Sequence, residues 1–337
     1  MKRNAPIVVT GSNGLAGSAI VEHLREEQFT NVIALTREDV DLRNHEAVGA
    51  EFAKIEPCYV FHSAACVYGL GGNMANQGKS ILENTLINTA VVDAARTCGS
   101  VRKIAVMGTN AAYPWPTELP FKEENLYNGR PDAGEFGYGH AKRHMLAMLE
   151  AYHQSYGLEY SYIVSGNLYG PRDSFNVETG HVLPSLIAKF HEAKITGGPV
   201  PVWGDGSATR DFLFTKDLAR IVQLLLLSTD IKSGAINIGS GQRVSIRRLV
   251  EMLSVISGVD MDRVHFDTSK PTGRPDCYSD LSRIGALGFT PFYDIAEGLR
   301  ETWDWFEDSK RAPPIISGSY RCPLTPEFLS LSGTNGA

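Results

Sequence analysis

The sequence predicts an α/β protein: a doubly wound parallel sheet with helices on both faces, followed by a smaller C-terminal α/β part. Three observations predict it. Short β-branched runs alternate with longer helical patterns through the first half of the chain, the rhythm of successive βαβ units. The first run ends in a cluster of glycines placed directly before a helical pattern, as at the first strand of an open α/β sheet. After about Gly170 the alternation loosens into loops punctuated by proline and glycine, so a second, smaller unit begins there.

The elements follow in order. "PIVVTG" opens the sheet, and "GSAIVEHLREEQ" is the helix leading to "NVIALT", the second strand. "YVFHSA" and "KIAVMG" are further strands, separated by the long helical pattern "SILENTLINTAVVDAARTC". "YSYIVSGNLYG" reads as one more strand. Beyond it, "HVLPSLIAKFHEA" is a helix of the smaller part, while "DLARIVQLLLLST" and "AINIGSG" are a helix and a strand returning to the main sheet. "SIRRLVEMLSVIS" is again an amphipathic helix of the smaller part. The expected organisation is a dinucleotide-binding domain over 1–168 with returning segments at about 212–240, and a substrate domain over 169–211 and 241–310. A tail over 311–337 wraps the surface or is partly disordered.

Bulk properties narrow the partners. A net charge of −6 over 337 residues argues against nucleic acid and against an anionic membrane, so an anionic ligand needs a local basic pocket. No apolar run approaches the roughly 18 residues of a membrane span. "MKRNAPIVVTG" reads as a first strand rather than a signal peptide. The five cysteines, Cys58, Cys66, Cys98, Cys277 and Cys322, are scattered without CxxC spacing. They point to reduced thiols in the cytoplasm and to no metal site.

The glycine cluster in "VVTGSNGLAGSAI" places Gly11, Gly14 and Gly17 as GxxGxxG between a strand and a helix, a variant of the Rossmann dinucleotide fingerprint. Glycines permit the tight turn and the close backbone approach, and the helix N-terminus offers N–H groups to a pyrophosphate. Asn13 and Leu15 within the loop, and Ala64 and Ala65 after the third strand, complete the expected cofactor contacts. At the end of the second strand an NAD site usually carries an acid for the ribose hydroxyls. Here Thr36 and Arg37 stand there, with Glu38 and Asp39 just beyond and Asp41 placed to reach the adenine edge. Arg37 suits a 2′-phosphate, which favours NADP(H) and leaves NAD(H) open.

"FGYGHAKRHM" holds Tyr138 and Lys142 four apart, on one face of a helix. The ammonium is expected to favour tyrosinate and bring the Tyr138 proton into play near neutral pH; Lys142 also suits the nicotinamide ribose. Alone, YxxxK is common. Joined to the fingerprint and to Thr109, a hydroxyl closing the "KIAVMG" strand, it resembles the extended short-chain dehydrogenase/reductases. In that family the Ser/Thr hydroxyl hydrogen-bonds the reacting oxygen, the tyrosine is the acid/base and the lysine assists.

"GGNMANQ", "NLYGPRDSFN", "GHVLPSLIAKFHEA", "VWGDGSATRDFLFTKDLA" and "DTSKPTGRPDCYSD" carry the resemblance further, to the GDP-L-fucose synthases, over nearly all of residues 5–305. Members of that family are GDP-4-keto-6-deoxymannose 3,5-epimerase/4-reductases. The resemblance implies that Asn167 lies near the sugar and that Lys189, Trp203, Arg210 and Lys270 line the nucleotide and diphosphate pocket. It implies a homodimer packed through the YxxxK helix and the one before it, and gives His181 the histidine role in epimerisation, as an acid.

The pattern breaks at one place. Where the family has "GSSCIYP" this chain has "GTNAAYP", so Asn110 stands for a serine and Ala111 for the epimerase cysteine. Alanine neither accepts nor donates a proton. Cys66, after another strand end, is the cysteine that approaches the site most plausibly. The reading is an NADPH-dependent 4-keto reductase of a GDP-linked keto-deoxy sugar, without C3/C5 epimerisation. Alternatives are the full bifunctional reaction, a related sugar such as a heptose in a pocket reshaped by Asn110 and Ala111, and a cofactor-holding regulatory subunit that does not turn over.

Overall fold

The computed structural model describes residues 2–311 apart from 178–179, 229–230, 232 and 271–273; most of the tail discussed above therefore lies outside the described residues. β1 (Ile7–Thr10) is buried along its whole length, because it lies between two parallel neighbours and under helices on both faces. α1 (Leu15–Glu26) leads to β2 (Val32–Leu35) on one side of β1, and α2 (His45–Ile55) leads to β3 (Tyr59–His62) on the other. Short α3 (Leu70–Ala75) and long α4 (Gln77–Thr97) precede β4 (Lys103–Met107), and α5 (Phe136–Tyr156) precedes β5 (Glu159–Ser165).

Here the chain leaves the sheet. "YSYIVSGNLYG" is two strands rather than one: past Gly166, β6 (Asn167–Tyr169) pairs with β8 (Thr209–Phe214) instead of with the main sheet. Continuous apolar character cannot register a change of partner, so the division is invisible in the pattern. α6 (Val182–Thr196) and β7 (Val200–Trp203) come between these strands. α7 (Thr215–Leu227) then packs on α1, and β9 (Gly234–Ile238) joins the main sheet beside β5, as the sequence predicts. β10 (Arg243–Ser245), α8 (Ile246–Ser257), β11 (Val264–Asp267), β12 (Asp276–Cys277), α9 (Ser282–Ala286) and α10 (Ile295–Arg311) complete the described chain.

The main sheet has the order β2-β1-β3-β4-β5-β9 and is parallel throughout. One face buries Val48, Phe52, Ile87, Val91 and Met145 beneath α2, α4 and α5. The other buries Ile20, Leu24, Leu218 and Val222 beneath α1 and α7. A third core, with Phe190, Leu249 and Trp303, surrounds β6, β8 and the helices α6, α8 and α10. β8 is flanked by β10 and β12 and paired with β6, and β7 pairs with β11. The Asp211 carboxylate accepts from Ser240 N at 2.8 Å, Ser240 Oγ at 2.6 Å and Gly241 N at 3.0 Å, tying β8 to the turn after β9.

Candidate active site

The strand order reverses direction between β1 and β3, the place where open α/β sheets bind ligands. Gly11 turns there at φ +68°, and a Cβ on it would stand 2.7 and 2.8 Å from the Ala64 backbone. At Gly17 a Cβ would strike the Gly11 carbonyl. Ser12 Oγ donates to Leu35 O at 3.0 Å, fixing the loop to β2. α1 begins at Gly14 with no side-chain cap and no acid in its first turn, so its leading N–H groups are open to an anion. Asn13 and Gly14 are exposed at this mouth, and Leu15 is half-buried. Ala64 is buried and Ala65 half-buried beside it. This cradle fits a dinucleotide pyrophosphate.

At the end of β2 two aspartates are engaged within the chain. Asp39 Oδ2 accepts from Thr36 N at 2.8 Å and from its hydroxyl at 2.7 Å. Asp41 is gripped by Arg43 through Nε and NH2, which holds its carboxyl at about 2. Arg43 thus engages both oxygens of Asp41, the residue expected at the adenine edge, while its side chain stays partly exposed. Arg37 is exposed at this corner.

Thr109 lies two residues beyond β4 and opens a short 3₁₀ turn over Asn110–Ala112. Its Oγ1 accepts from Ala111 N at 3.2 Å, leaving its own proton available to a ligand. Arg143 donates to Ala112 O at 2.6 Å and to Gly129 O at 2.5 Å, pinning that turn to α5. Lys142 is 1% exposed and donates to Met107 O at 2.7 Å. Its ammonium lies 5.8 Å from the centre of the Tyr138 ring. The structure therefore brings Thr109, Tyr138 and Lys142 to the C-terminal end of β4.

The electrostatics differ from the sequence expectation. Burial pushes the Tyr138 phenol well above its ordinary value, helped by the negative charges of Glu135 and Cys66. The same desolvation draws Lys142 down to about 7. Tyr138 is thus a protonated phenol at neutral pH, suited to giving a proton. His181, at the head of α6, is exposed to water yet crowded by protein, which lowers its imidazole. The direction favours the neutral imidazole of the residue expected to act as an acid. Ala111 is 1% exposed and forms a closed wall rather than the ligand-facing surface expected of it; Asn110 is half-buried.

Among the expected nucleotide-binding residues, Lys189 and Trp203 meet, with the ammonium 5.9 Å from the ring centre. Lys270 follows β11, whose Asp267 pairs in register with Trp203, so it stands near them and is exposed. Asn167, on β6, pairs with Phe212. Arg210 lies on β8 opposite Cys277.

The sequence matches the NAD dependent epimerase/dehydratase family over residues 7–239. The chain belongs to that family. As an epimerase/dehydratase relative it is 39% identical over 310 residues to probable GDP-L-fucose synthase 1 of Oryza sativa subsp. japonica, across 91% of this chain and 93% of the relative. GDP-L-fucose synthase of Escherichia coli (strain K12) is 31% identical, across 90% and 97%. Among solved structures, MlghC, a GDP-mannoheptose C4 reductase from Campylobacter jejuni with NADP bound, superposes with a TM-score of 0.80 at 31% identity, across 91% and 99%. A GDP-L-fucose synthetase from Naegleria fowleri bound to NADP gives 0.85 at 29%, across 93% and 95%. The resemblance carried by the motifs thus extends over nine-tenths of the chain, and this epimerase/dehydratase is an NAD(P)-dependent enzyme.

Several residues of this epimerase/dehydratase site escaped the sequence. Thr10 Oγ1 lies 2.8 Å from His62 Nδ1, His62 Nε2 lies 3.1 Å from Asn88 Oδ1, and Asn88 Nδ2 donates to Ala141 O. Because the Asn88 amide nitrogen faces a carbonyl, its oxygen faces His62, which then carries its proton on Nε2 and accepts from Thr10. Asn84 clamps the Cys66 backbone, accepting from its N at 2.8 Å and donating to its O at 2.9 Å. Gln77 accepts from Gly137 N at 2.6 Å, fixing the head of α5. Burial also lifts Asp173, after β6, to about 7. Asn84 and Asn88 lie four apart on α4, a spacing that puts both amides on one stripe of the helix without showing that the stripe is buried.

Proposed function

We propose that this protein is an NADPH-dependent 4-keto reductase of a GDP-linked keto-deoxy sugar that leaves C3 and C5 unepimerised. One contrast carries the reading. Thr109, Tyr138 and Lys142 stand together as a reductase set, while position 111 holds a buried alanine with no acid–base capacity. The names of the relatives, GDP-L-fucose synthases and a GDP-mannoheptose C4 reductase, support a GDP-sugar as substrate. Arg37 at the β2 corner, with Asp39 and Asp41 engaged elsewhere, supports NADP(H).

When bound, a reduced nicotinamide supplies the hydride. The chain's own groups manage the oxygen. Thr109 donates a hydrogen bond to the C4 carbonyl, and Tyr138, held protonated by its surroundings, gives its proton to the oxygen as it becomes an alkoxide. Lys142, fixed on Met107 O, stabilises the phenolate left behind. Lys189, Trp203, Arg210 and Lys270 take the nucleotide diphosphate, and Asn167 borders the sugar. His181 can accept a proton from one ring face, and no thiol at 111 serves the other.

A second reading, the bifunctional 3,5-epimerase/4-reductase, rests on Cys66, whose sulfur acts electrostatically on the Tyr138 phenol. That thiol is 3% exposed and donates to the Tyr68 hydroxyl at 3.5 Å, which favours the simpler reaction. The test is incubation with GDP-4-keto-6-deoxymannose and NADPH in deuterated water. The expected outcome is NADPH oxidation and a C4-reduced product free of deuterium at C3 and C5. Deuterium at either carbon refutes the absence of epimerisation, and no oxidation refutes the substrate.

The proposal includes a cytoplasmic homodimer. Ile81, Leu82 and Leu86 are exposed on α4, on the helix pair that the resemblance assigns to the interface. Among the described residues no helix is long and apolar enough to cross a membrane, and Cys58, Cys98 and Cys277 are thiols outside any disulfide.

A further inference from the structure

Glu135 is the N-cap residue immediately before α5, three residues ahead of Tyr138. Arg274 NH2 donates to its Oε2 at 3.2 Å. Arg274 is itself a built part: its side chain is 10% exposed, its guanidinium lies 4.8 Å from the centre of the Trp115 ring, and its Nε stands 3.7 Å from Asp132 Oδ2. The Asp132 Oδ1 is engaged with Gly134 N at 2.8 Å. Arg274 precedes β12, where Cys277 lies in register with Arg210. The carboxylate of Glu135 is thus held from one side, and its charge acts on both the Tyr138 phenol and Arg210, the arginine assigned to the diphosphate. Its Oε1 has no protein partner among the described residues, and the side chain is only half-buried, so a ligand can reach it.

We propose that Glu135 is a sugar-binding residue, its Oε1 accepting a hydrogen bond from a ring hydroxyl at C2 or C3 of the nucleotide-linked keto sugar, with Arg274 as the residue that positions it. A sugar with its C4 oxygen at Tyr138 and its anomeric phosphate at Arg210 lays its remaining ring hydroxyls between those two groups, where an oriented carboxylate discriminates strongly. A site built to take a hydroxyl rejects the analogue that lacks it. Desolvation raises the Glu135 carboxyl, against the lowering pull of Arg274 and Arg210, so a partly dehydrated acceptor here gains from any donor that replaces water.

This inference rests on the proposed GDP-keto-sugar reaction. The experiment measures kcat, KM for GDP-4-keto-6-deoxymannose, Kd for NADPH and Tm for the full chain and for Glu135→Gln, Glu135→Ala and Arg274→Met. KM is also measured for the 2-deoxy and 3-deoxy substrate analogues. Loss of a hydrogen bond to a charged acceptor raises KM about 10- to 100-fold in Glu135→Ala, less in Glu135→Gln, with NADPH binding and Tm unchanged. With one of the two deoxy analogues, wild type and Glu135→Ala become equal. A KM unchanged in both Glu135 variants overturns the proposal while wild-type turnover upholds the reaction. An equal effect of Glu135→Ala on the substrate and both analogues also overturns it. If wild type neither binds nor reduces the GDP-keto sugar, both readings fall.

Discussion

Burial brings the Lys142 ammonium to about 7, and this residue sets opposite pH trends for stability and for turnover. Between about pH 7 and its unfolded value the unfolded chain holds a proton on Lys142 that the folded chain has released, so stability rises with pH across that window. The proposed reaction needs the charged form beside Tyr138, so kcat/KM should fall tenfold per pH unit above about 7, as a free-enzyme profile reads it. A flat profile from pH 6 to 9 would show that Lys142 does not titrate there. Tyr138→Phe removes the proton donor and should lower kcat by about 10²- to 10⁴-fold. In Lys142→Met the alkaline limb should vanish along with most of the rate. YxxxK made these two residues legible in the sequence. Their electrostatics were not, because desolvation depends on walls contributed by distant segments: Met107 from β4, Glu135 from the preceding turn and Cys66 from the loop after β3.

At the level of elements, the Thr10–His62–Asn88–Ala141 chain joins the ends of β1 and β3 to α4 and α5 beneath the site. His62 is wholly buried, and desolvation, aided by the Lys142 charge, lowers it to about 3. Its unfolded value lies near 6.5. Its contribution to stability is therefore complete above about pH 6.5 and is lost as pH falls towards 3. His62→Leu should cost about 2–4 kcal/mol in urea unfolding at pH 7, because it orphans buried groups on both Thr10 and Asn88. It should also flatten the acid limb of the stability curve. A loss below about 0.5 kcal/mol would deny the network that role. The main strands and helices were readable because each buries one continuous or periodic apolar set. Asn84 and Asn88 were not, since an amide on a helix stripe looks the same whether it faces water or a buried partner. The partner change at Gly166 escaped because a single glycine between two short strand-like runs does not say which sheet each run joins.

Across the whole molecule, Asp211 links the second sheet to the first: β8 presents Arg210 while the next residue holds Ser240 and Gly241 after β9. Under the proposed function, ligand contacts on β8 are thereby kept in register with those at β1 and β4. Asp211→Ala should raise KM for the sugar nucleotide several-fold and lower stability by about 1–3 kcal/mol, leaving NADPH affinity unchanged. If NADPH affinity falls equally, Asp211 supports the fold generally and not this register. The same topology bears on how the chain is made. Residues 161–165 of β5 wait for 234–238 to supply their neighbour, and everything between belongs largely to the second core. During synthesis, and in any fragment cut between those points, β5 is an unpaired edge of apolar residues, open to another chain's strand. Completion of the main sheet is thus postponed until β6, β8 and the helices between them have already left the ribosome.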